Sequence, residues 1–314
     1  DGQSCLDNLC DDVDYMTNAG TAGFDRSPSL SSLQFAITDW AVSDGQDLVI
    51  YLVGSPESGG LRLNSTEVLT AQQLDQWLDQ AQTTLPGTVL VVYDGELSGD
   101  FLAELTPDSG RSRIVIVTDG DSQRCNLVLK EDISFSRYFW GQILNGANVR
   151  QAFNLARSGV DFSGRSQVPL LDDNGNGVGN ELGDGLVAGS YGLGTGVLLA
   201  GDEPFVDRLT VPVSISGPTA VNIEASGVTS TSQIDRVEAL VTLPSCEELR
   251  VTLQDQGNGL YQISTNAFSD DTGLYDVAVF AIDVDGLSSI PSSATVEQTS
   301  GELLFSDGFE STAQ

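Results

Sequence analysis

The segment Asp47–Gly60, "DLVIYLVGSPESGG", decides the fold of the first half of this chain. A run of apolar, β-forming residues ends at Gly-Ser-Pro and continues into a glycine-rich loop. Strands of parallel sheets are typically apolar throughout, and the loops at their carboxyl ends carry functional side chains. We therefore interpret the segment as a buried parallel strand that leads into a site. The loop contains no histidine, and neither does the rest of the chain.

Helix and strand patterns alternate on both sides of this segment. Apolar runs at Thr88–Tyr93 and Arg113–Asp119 predict two more buried strands. Capping boxes at Thr70-x-x-Gln73 and Asn148-x-x-Gln151 predict where two of the helices begin. The predicted helices are Ser29–Val42, Thr70–Gln82, Ile133–Leu144 and Asn148–Arg157. Apolar strands separated by helices predict an α/β fold, a parallel sheet with helices on both faces.

The pattern changes after about Leu209. Apolar and polar residues then alternate with period two, with Gly, Asn and Asp at the turns, which is typical of antiparallel strands. The length suits an all-β, Ig-like sandwich. We predict a domain division into residues 1–30 (extension), 31–208 (α/β domain), 209–298 (Ig-like β-sandwich) and 299–314 (tail).

The chain is strongly acidic. It has 13 basic and 45 acidic residues, a formal net charge of −32. Such a surface repels nucleic acid and anionic membranes, so we expect neither as a partner. Two interpretations stay open, a solubility surface suited to a saline habitat and a surface that calcium partly neutralises.

Four cysteines suggest an oxidising compartment. Cys5 and Cys10 enclose a short loop, so we expect them to pair, while the pairing of Cys125 and Cys246 stays open. No run of about 18 apolar residues suggests a membrane span. The chain begins at Asp1 without a signal-peptide pattern. We interpret it as the mature form of an exported protein, located outside the cell or at its surface.

Several segments resemble one peptidase family in the order in which they occur. They are "DLVIYLVGSPESGG", "GTVLVVYDGELSGDFL", "ISFSRYFWGQILNGANVRQAFNLA" and "VPLLDDNGNGVGN". From about residue 30 to residue 208 the chain resembles the caspase-like fold, and is most similar to the bacterial, legumain-like cysteine peptidases of clan CD. The resemblance implies a caspase-like sheet covered by helices on both faces.

The same resemblance implies that the catalytic dyad is lost. The family's first motif, Asp-His-Gly, corresponds here to Gly54-Ser55-Pro56, which places Ser55 at the histidine position. The second motif, Tyr-Asp-Ala-Cys-Glu-Ser-Gly, corresponds to Tyr93–Gly99, which places Glu96 at the cysteine position. We treat Ser55 and Glu96 as vestigial positions and predict no peptidase activity.

Elementary chemistry supports this expectation. Cysteine peptidases need a thiolate and a base that titrates near neutral pH. A serine hydroxyl cannot serve as that base, and glutamate is a poor nucleophile toward amides. A carboxylate-based hydrolase is a less favoured alternative, with Glu57, Asp94, Glu96 and Asp119 as the candidate pair-forming residues.

The segment Asp172–Gly185, "DDNGNGVGNELGDG", is the most specific chemical motif. Oxygen-bearing residues alternate in a tight loop, which is how proteins direct six to eight oxygens at Ca²⁺. The predicted ligands are Asp172, Asn174, Asn176, the carbonyl of Val178, Asn180 and Asp184. Position twelve is Gly183 and lacks the bidentate glutamate of an EF-hand. The alternative is a series of side-chain-to-backbone turns without an ion.

These features favour a structural or interaction protein over an enzyme. The lost dyad, the appended sandwich and the acidic surface suggest a calcium-stabilised subunit that assembles with itself into an extracellular filament or surface layer. The alternative is a module that binds a peptide or glycan in the former cleft.

Overall fold

The computed structural model describes residues 26–43, 45–54, 56–57 (main chain only), 60–95, 98–118, 134–161, 168–193, 203–245, 247–268 and 272–300. The chain divides into two compact units, Asp1–Gly201 and Asp202–Gln314. Each unit is described by itself.

The first unit contains a four-stranded sheet and a small three-stranded antiparallel sheet. Its described strands are β1 (Leu48–Val53), β2 (Pro56–Glu57), β3 (Gly60–Arg62), β4 (Val68–Leu69), β5 (Thr88–Asp94), β6 (Ser112–Val117) and β7 (Leu170–Asp172). The larger sheet has the order β1-β5-β6-β7. Strands β1, β5 and β6 are parallel, and β7 runs antiparallel to β6. The predicted parallel sheet is therefore found, with an antiparallel strand at one edge.

Helices follow the predicted positions closely. They are α1 (Leu30–Phe35), which continues as a π-helical turn over Ala36–Trp40, α2 (Ala71–Gln82), α3 (Asp100–Glu104), α4 (Phe135–Leu144) and α5 (Val149–Val160). Both predicted capping boxes are present, with Thr70 and Gln73 opening α2 and Asn148 and Gln151 opening α5. Each box satisfies backbone N–H groups that have no partner inside the helix.

The two faces of the sheet carry different cores. On one face Ile50, Val91 and Val115 pack with residues of α2 and α3. Alternation places Leu90, Val92, Ile114 and Ile116 on the other face, where all four are buried. Helix α4 lies on that second face, because its Ser136 and Trp140 contact Tyr51 of β1.

One prediction about β1 is wrong. We expected this strand to be buried on both faces, but its burial alternates: Val49, Tyr51 and Val53 are exposed. Among the described strands, β1 pairs with β5 alone and so forms an edge of the sheet. A continuous apolar run indicates a strand that avoids charge on both faces; it does not show that other parts of the same molecule cover both faces.

A buried arginine joins α2 to the sheet. The side chain of Arg113 on β6 is fully buried and bonds Asp75 and Asp79 of α2, each at 2.8 Å. Its remaining N–H groups donate to Gln82 Oε1 and to the carbonyl of Leu105. Burial has the largest effect on the pKa of Asp75 and raises it above its ordinary value. The hydrogen bond from Arg113 opposes this rise, and the neighbouring charge of Asp79 adds to it. The arginine thus holds together two carboxylates that would otherwise repel one another.

Replacing Arg113 should destabilise the first unit. In Arg113→Ala the two carboxylates and Gln82 lose their shared partner in a buried position, so we expect a loss of about 3–5 kcal/mol of unfolding free energy in urea titrations. The matched control is Arg111→Ala, which removes an exposed arginine two residues away and should change stability by less than about 0.5 kcal/mol. Equal stability of the two variants would contradict the role assigned to Arg113.

The second unit is a β-sandwich, as predicted. Its described strands are β8 (Arg208–Thr210), β9 (Ser214–Ser216), β10 (Val221–Ser226), β11 (Ile234–Thr242), β12 (Glu248–Gly257), β13 (Leu260–Thr265), β14 (Gly273–Asp283) and β15 (Ser292–Thr299). They follow the order β8-β10-β13-β12-β11-β14-β15-β9, antiparallel except for the pair β15–β9. Ile223 of β10 and Val279 of β14 belong to the same buried core. The strands at the two ends of this order therefore pack against each other as the two layers of a sandwich. The sequence patterns did not anticipate β10 and β15, which contain more polar residues.

Candidate functional site

Several predicted site residues lie outside the described part of the chain. Ser55, Glu96 and Asp119 are among them, as is the side chain of Glu57. The predicted disulfide of Cys5 and Cys10 lies outside it too, as do Cys125 and Cys246. The described neighbours of Ser55 and Glu96, which are Gly54 and Asp94–Gly95, nevertheless define how the strands end.

A hydrogen-bond network joins the carboxyl ends of β5 and β6 to α4, with the Asp94 carboxylate at its centre. One oxygen, Oδ1, accepts from the hydroxyl of Thr118 at 2.9 Å. The other, Oδ2, accepts from the backbone N–H of Ser136 at 3.2 Å and from the Ser136 hydroxyl. Ser136 lies in the first turn of α4, where the helix dipole favours a negative charge. The charge of Asp94 is thereby stabilised on both oxygens.

The network extends to β1 through Tyr51. Its hydroxyl donates to Ser136 Oγ at 2.6 Å, and its ring packs edge-on against Trp140 at 5.1 Å between centroids. Although 43% of Tyr51 is exposed, desolvation of its hydroxyl beside Ser136 raises the pKa of Tyr51 to about 12; the hydrogen bond to Ser136 opposes this rise, and the charge of Asp94 adds to it. The phenol stays neutral and acts as a donor at the end of a chain of hydroxyl groups.

A second limb of the network fixes the turn after β5. The backbone N–H of Gly95 donates to Thr118 Oγ1 at 3.1 Å. The N–H of Thr118 donates to Ser98 Oγ at 3.1 Å, and Ser98 is fully buried. Thr118 therefore serves both limbs, since it donates to Asp94 and accepts from Gly95.

The ends of β1 and β5 approach so closely that no side chain fits between them at Gly95. A Cβ atom on Gly95 would lie 2.8 Å from the carbonyl oxygen of Gly54 and 2.7 Å from the Tyr93 ring. The backbone that precedes Ser55 and the backbone that precedes Glu96 are thus packed against each other.

Acid–base chemistry at these strand ends would involve the Asp94 carboxylate. Asp94 is the candidate carboxylate that the structure describes, and both of its oxygens are engaged as acceptors. A general base must have a lone pair directed at the proton that it removes. The sequence analysis missed Tyr51, Thr118 and Ser136. One signal for Ser136 was available in the sequence. Helix α4 begins with two serines, the N-cap Ser134 and Ser136, and such donors could have been matched to the aspartate that ends β5.

Substituting Gly95 by alanine tests whether this position is too closely packed to hold a side chain. Gly95→Ala forces a methyl group against a backbone carbonyl, so we expect a loss of about 1–3 kcal/mol in unfolding free energy. Gly141→Ala in α4 is the control, because a Cβ atom there meets no atom within 4 Å. This change should stabilise the protein by about 0.5–1 kcal/mol through helix propensity. Urea denaturation of both variants measures the difference; a neutral Gly95→Ala would contradict the close approach.

The loop after β7 contains the predicted calcium ligands. Asp172, at the end of β7, is buried and uses both oxygens for backbone N–H groups: Oδ1 accepts from Asn174 and Gly175, and Oδ2 accepts from Gly177 at 2.7 Å. Gly177 has a φ of 76°, the left-handed conformation that the sharp turn requires. These bonds match the side-chain-to-backbone turns that the sequence analysis kept as its alternative.

The remaining predicted ligands are only partly brought together. The amide of Asn174 donates to Asp184 Oδ1 at 2.8 Å, which links two of them directly. The amide of Asn176 donates to Glu181 instead. Asn180 is turned toward β7, since its amide bonds the N–H of Leu171 and the carbonyl of Pro169. The described residues contain no cluster of three or more His, Cys, Asp or Glu side chains suited to a metal.

One residue outside the predicted set, Asp173, helps to organise the loop together with Asp184. Asp173 is buried and accepts from the N–H groups of Gly185 and Ala188, each at 2.8 Å. Burial raises the pKa of Asp184; the N–H groups of Glu181 and Asp173 oppose the rise, and the charges of Asp172 and Asp173 add to it. Several carboxylates therefore converge in this loop, and backbone N–H groups balance part of their charge.

Comparisons with known proteins find no family. No protein-family model matches the chain, and no curated protein is similar to it in sequence. Among solved structures it is similar to fibronectin(III)-like modules of Clostridium thermocellum CbhA, with 24% identity over 30% of this chain and 98% of the other, at a TM-score of 0.24. It is also similar to the PKD domain of a peptidase from a Thermoplasmatales archaeon, with 18% identity over 32% of this chain and 98% of the other, at a TM-score of 0.26.

None of the helices in the described ranges is long and apolar enough to cross a membrane.

Proposed function

We propose that the first unit is a degenerate caspase-like, legumain-like peptidase domain, and that the chain serves as an exported structural or interaction subunit without peptidase activity. The observation that carries the proposal is the absence of histidine from the chain, because an imidazole is the base that activates the nucleophile in peptidases of this class.

The composition supports the same proposal. The chain has no histidine, so neither a Cys-His nor a Ser-His pair can form anywhere in it. Thr118 and Ser136 already give the Asp94 carboxylate three hydrogen bonds, one to Oδ1 and two to Oδ2. The carboxylate-based hydrolase is therefore the weaker alternative, because its central candidate already has a structural role.

A peptidase assay tests this proposal directly. We expect the purified chain and the Glu96→Gln variant to give the same background with fluorogenic peptide substrates between pH 4 and pH 9, because no group activates a nucleophile. Turnover by the unaltered chain that Glu96→Gln abolishes would contradict the proposal. Asp94→Asn, measured in parallel, distinguishes a carboxylate mechanism centred on the strand ends from one centred on Glu96.

Calcium is part of the proposal. Asp172, Asn174, Asn176, the Val178 carbonyl, Asn180 and Asp184 would hold the ion, and it would offset the repulsion among the loop carboxylates. The residues fit in part: Asn174 links two of the carboxylates, since its backbone N–H donates to Asp172 and its side-chain amide donates to Asp184. Asn180 would have to release its bonds to β7 or remain outside the shell. The ion would fix the loop, with no role in a reaction.

Thermal unfolding with calcium or with chelator tests the ion site. We expect calcium to raise the melting temperature of the unaltered chain, because an ion that binds the folded state alone stabilises it. Asp184→Asn should lose most of that rise. Asp108→Asn, the same charge change on an exposed residue, should retain it. Identical melting with calcium and with chelator would remove calcium from the proposal and leave the inert scaffold unaffected.

A further inference from the structure

Asparagine followed by glycine is a reactive pair in proteins, because glycine has no Cβ atom to hinder the approach of its backbone nitrogen to the asparagine side chain. The described part of the chain contains every such pair of the sequence. The structure therefore shows which of them the fold protects. The pairs are Asn145-Gly146, Asn174-Gly175, Asn176-Gly177 and Asn258-Gly259.

The reaction replaces a side-chain amide by an acid. The glycine nitrogen, after losing its proton to hydroxide, attacks Cγ of the asparagine; the bond from Cγ to the amide nitrogen breaks, and ammonia leaves. Water then opens the resulting succinimide ring to an aspartate or an isoaspartate. The peptide plane must rotate toward the side chain before the attack, so a glycine N–H that donates to an acceptor has to break that bond first.

Three of the four glycine N–H groups are held in this way. Gly146 donates to the carbonyl of Ile143 at 3.0 Å, just after α4. Gly175 and Gly177 donate to the two oxygens of one carboxylate, that of the buried Asp172, at 2.9 and 2.7 Å. A single side chain thus holds the peptide planes of both pairs in the loop after β7.

The fourth pair forms the two-residue loop between β12 and β13. Gly257 pairs with Leu260 across this loop, and Asn258 and Gly259 have φ values of 57° and 74°, as a type I′ turn requires. Within the described structure neither the carbonyl of Asn258 nor the N–H of Gly259 makes a hydrogen bond, and Asn258 is exposed. The peptide plane between them can therefore rotate without breaking a bond.

This rotation is compatible with the rest of the hairpin. It converts a type I′ turn into a type II′ turn, which two-residue hairpins also adopt, and it brings the Gly259 nitrogen toward the Asn258 side chain. The N–H of Val228 donates to the carbonyl of Gly259 at 3.0 Å and keeps that end of the turn in place. A Cβ atom on Gly259 would lie 2.7 Å from the Val228 carbonyl oxygen, so the fold requires glycine here.

We propose that Asn258 is a site of spontaneous modification in this chain, where its side-chain amide is hydrolysed through a succinimide. Asp172 protects Asn174 and Asn176 from the same reaction. The aspartate product keeps the length of the loop and tolerates a positive φ, whereas the isoaspartate product lengthens the main chain and disrupts the two-residue turn. Either product adds a negative charge close in sequence to Asp255.

Peptide mapping by mass spectrometry tests the proposal on the unaltered full chain. The chain is aged in mildly alkaline buffer with chelator, which keeps the loop after β7 free of ions, and a second portion is aged in urea to give the rate of each pair without the fold. We expect Asn258 to react at nearly the same rate in both. The other three asparagines should react at least about tenfold more slowly in the folded chain, because they await local opening. If folding slows Asn258 as much as the others, or if another of the four reacts faster, the proposal is wrong.

Two further measurements test the role of Asp172. In Asp172→Asn the rates at Asn174 and Asn176 should rise toward their values in urea, while an unchanged rate at Asn145 reports that the fold persists. Amide hydrogen exchange of the unaltered chain gives the same answer without a variant: exchange should be at least about tenfold slower at Gly175 and Gly177 than at Gly259. Equally fast exchange at all three glycines would overturn the protection assigned to Asp172.

Discussion

The first unit depends on the bonds that the Asp94 carboxylate makes at the end of its central strand. Strand β5 lies between β1 and β6, and its terminal carboxylate connects to β6 through Thr118 and to α4 through Ser136. Through the same serine it connects to Tyr51 on β1. A partly buried carboxylate is tolerated where donors surround it, and here four elements supply or share them.

This network gives the polar groups at the strand ends partners within the fold itself. Polar groups at the ends of parallel strands need partners whether or not a substrate is bound. Short hydroxyl side chains at positions 118 and 136, together with the N–H groups of a helix start, satisfy them locally. Gly95 then lets two backbones approach to a distance that alanine would not permit. The loop after β7 also satisfies its polar groups locally. There Asp172 and Asp173 accept hydrogen bonds from backbone N–H groups that would otherwise be buried without acceptors.

Local features of the sequence predicted local structure well. The capping boxes at Thr70 and Asn148 and the apolar runs of β5 and β6 are specified by neighbouring residues, so the sequence alone sufficed. Other features depend on segments that are far apart in the chain, so local residue spacing does not predict them. They are the open edge of β1 and the bonds of Ser136 and Thr118 to Asp94. Asn180 was assigned to an ion because oxygens alternated before it, but its positive φ and its bonds to Leu171 and Pro169 turn it to the strand. Side-chain oxygens serve ions and backbone N–H groups equally well, so composition cannot separate the two uses.

The neutral phenol of Tyr51 has a consequence for the environments that this molecule tolerates. Its pKa of about 12, and that of Tyr93, which burial also raises to about 12, delay ionisation of these rings to strongly alkaline conditions. The chain also has no imidazole, the side chain that ordinarily titrates near neutral pH, and twelve of its thirteen basic residues are arginines. Its composition therefore contains few groups that respond to small changes of pH around neutrality, whereas its large net negative charge makes its electrostatics sensitive to dissolved ions.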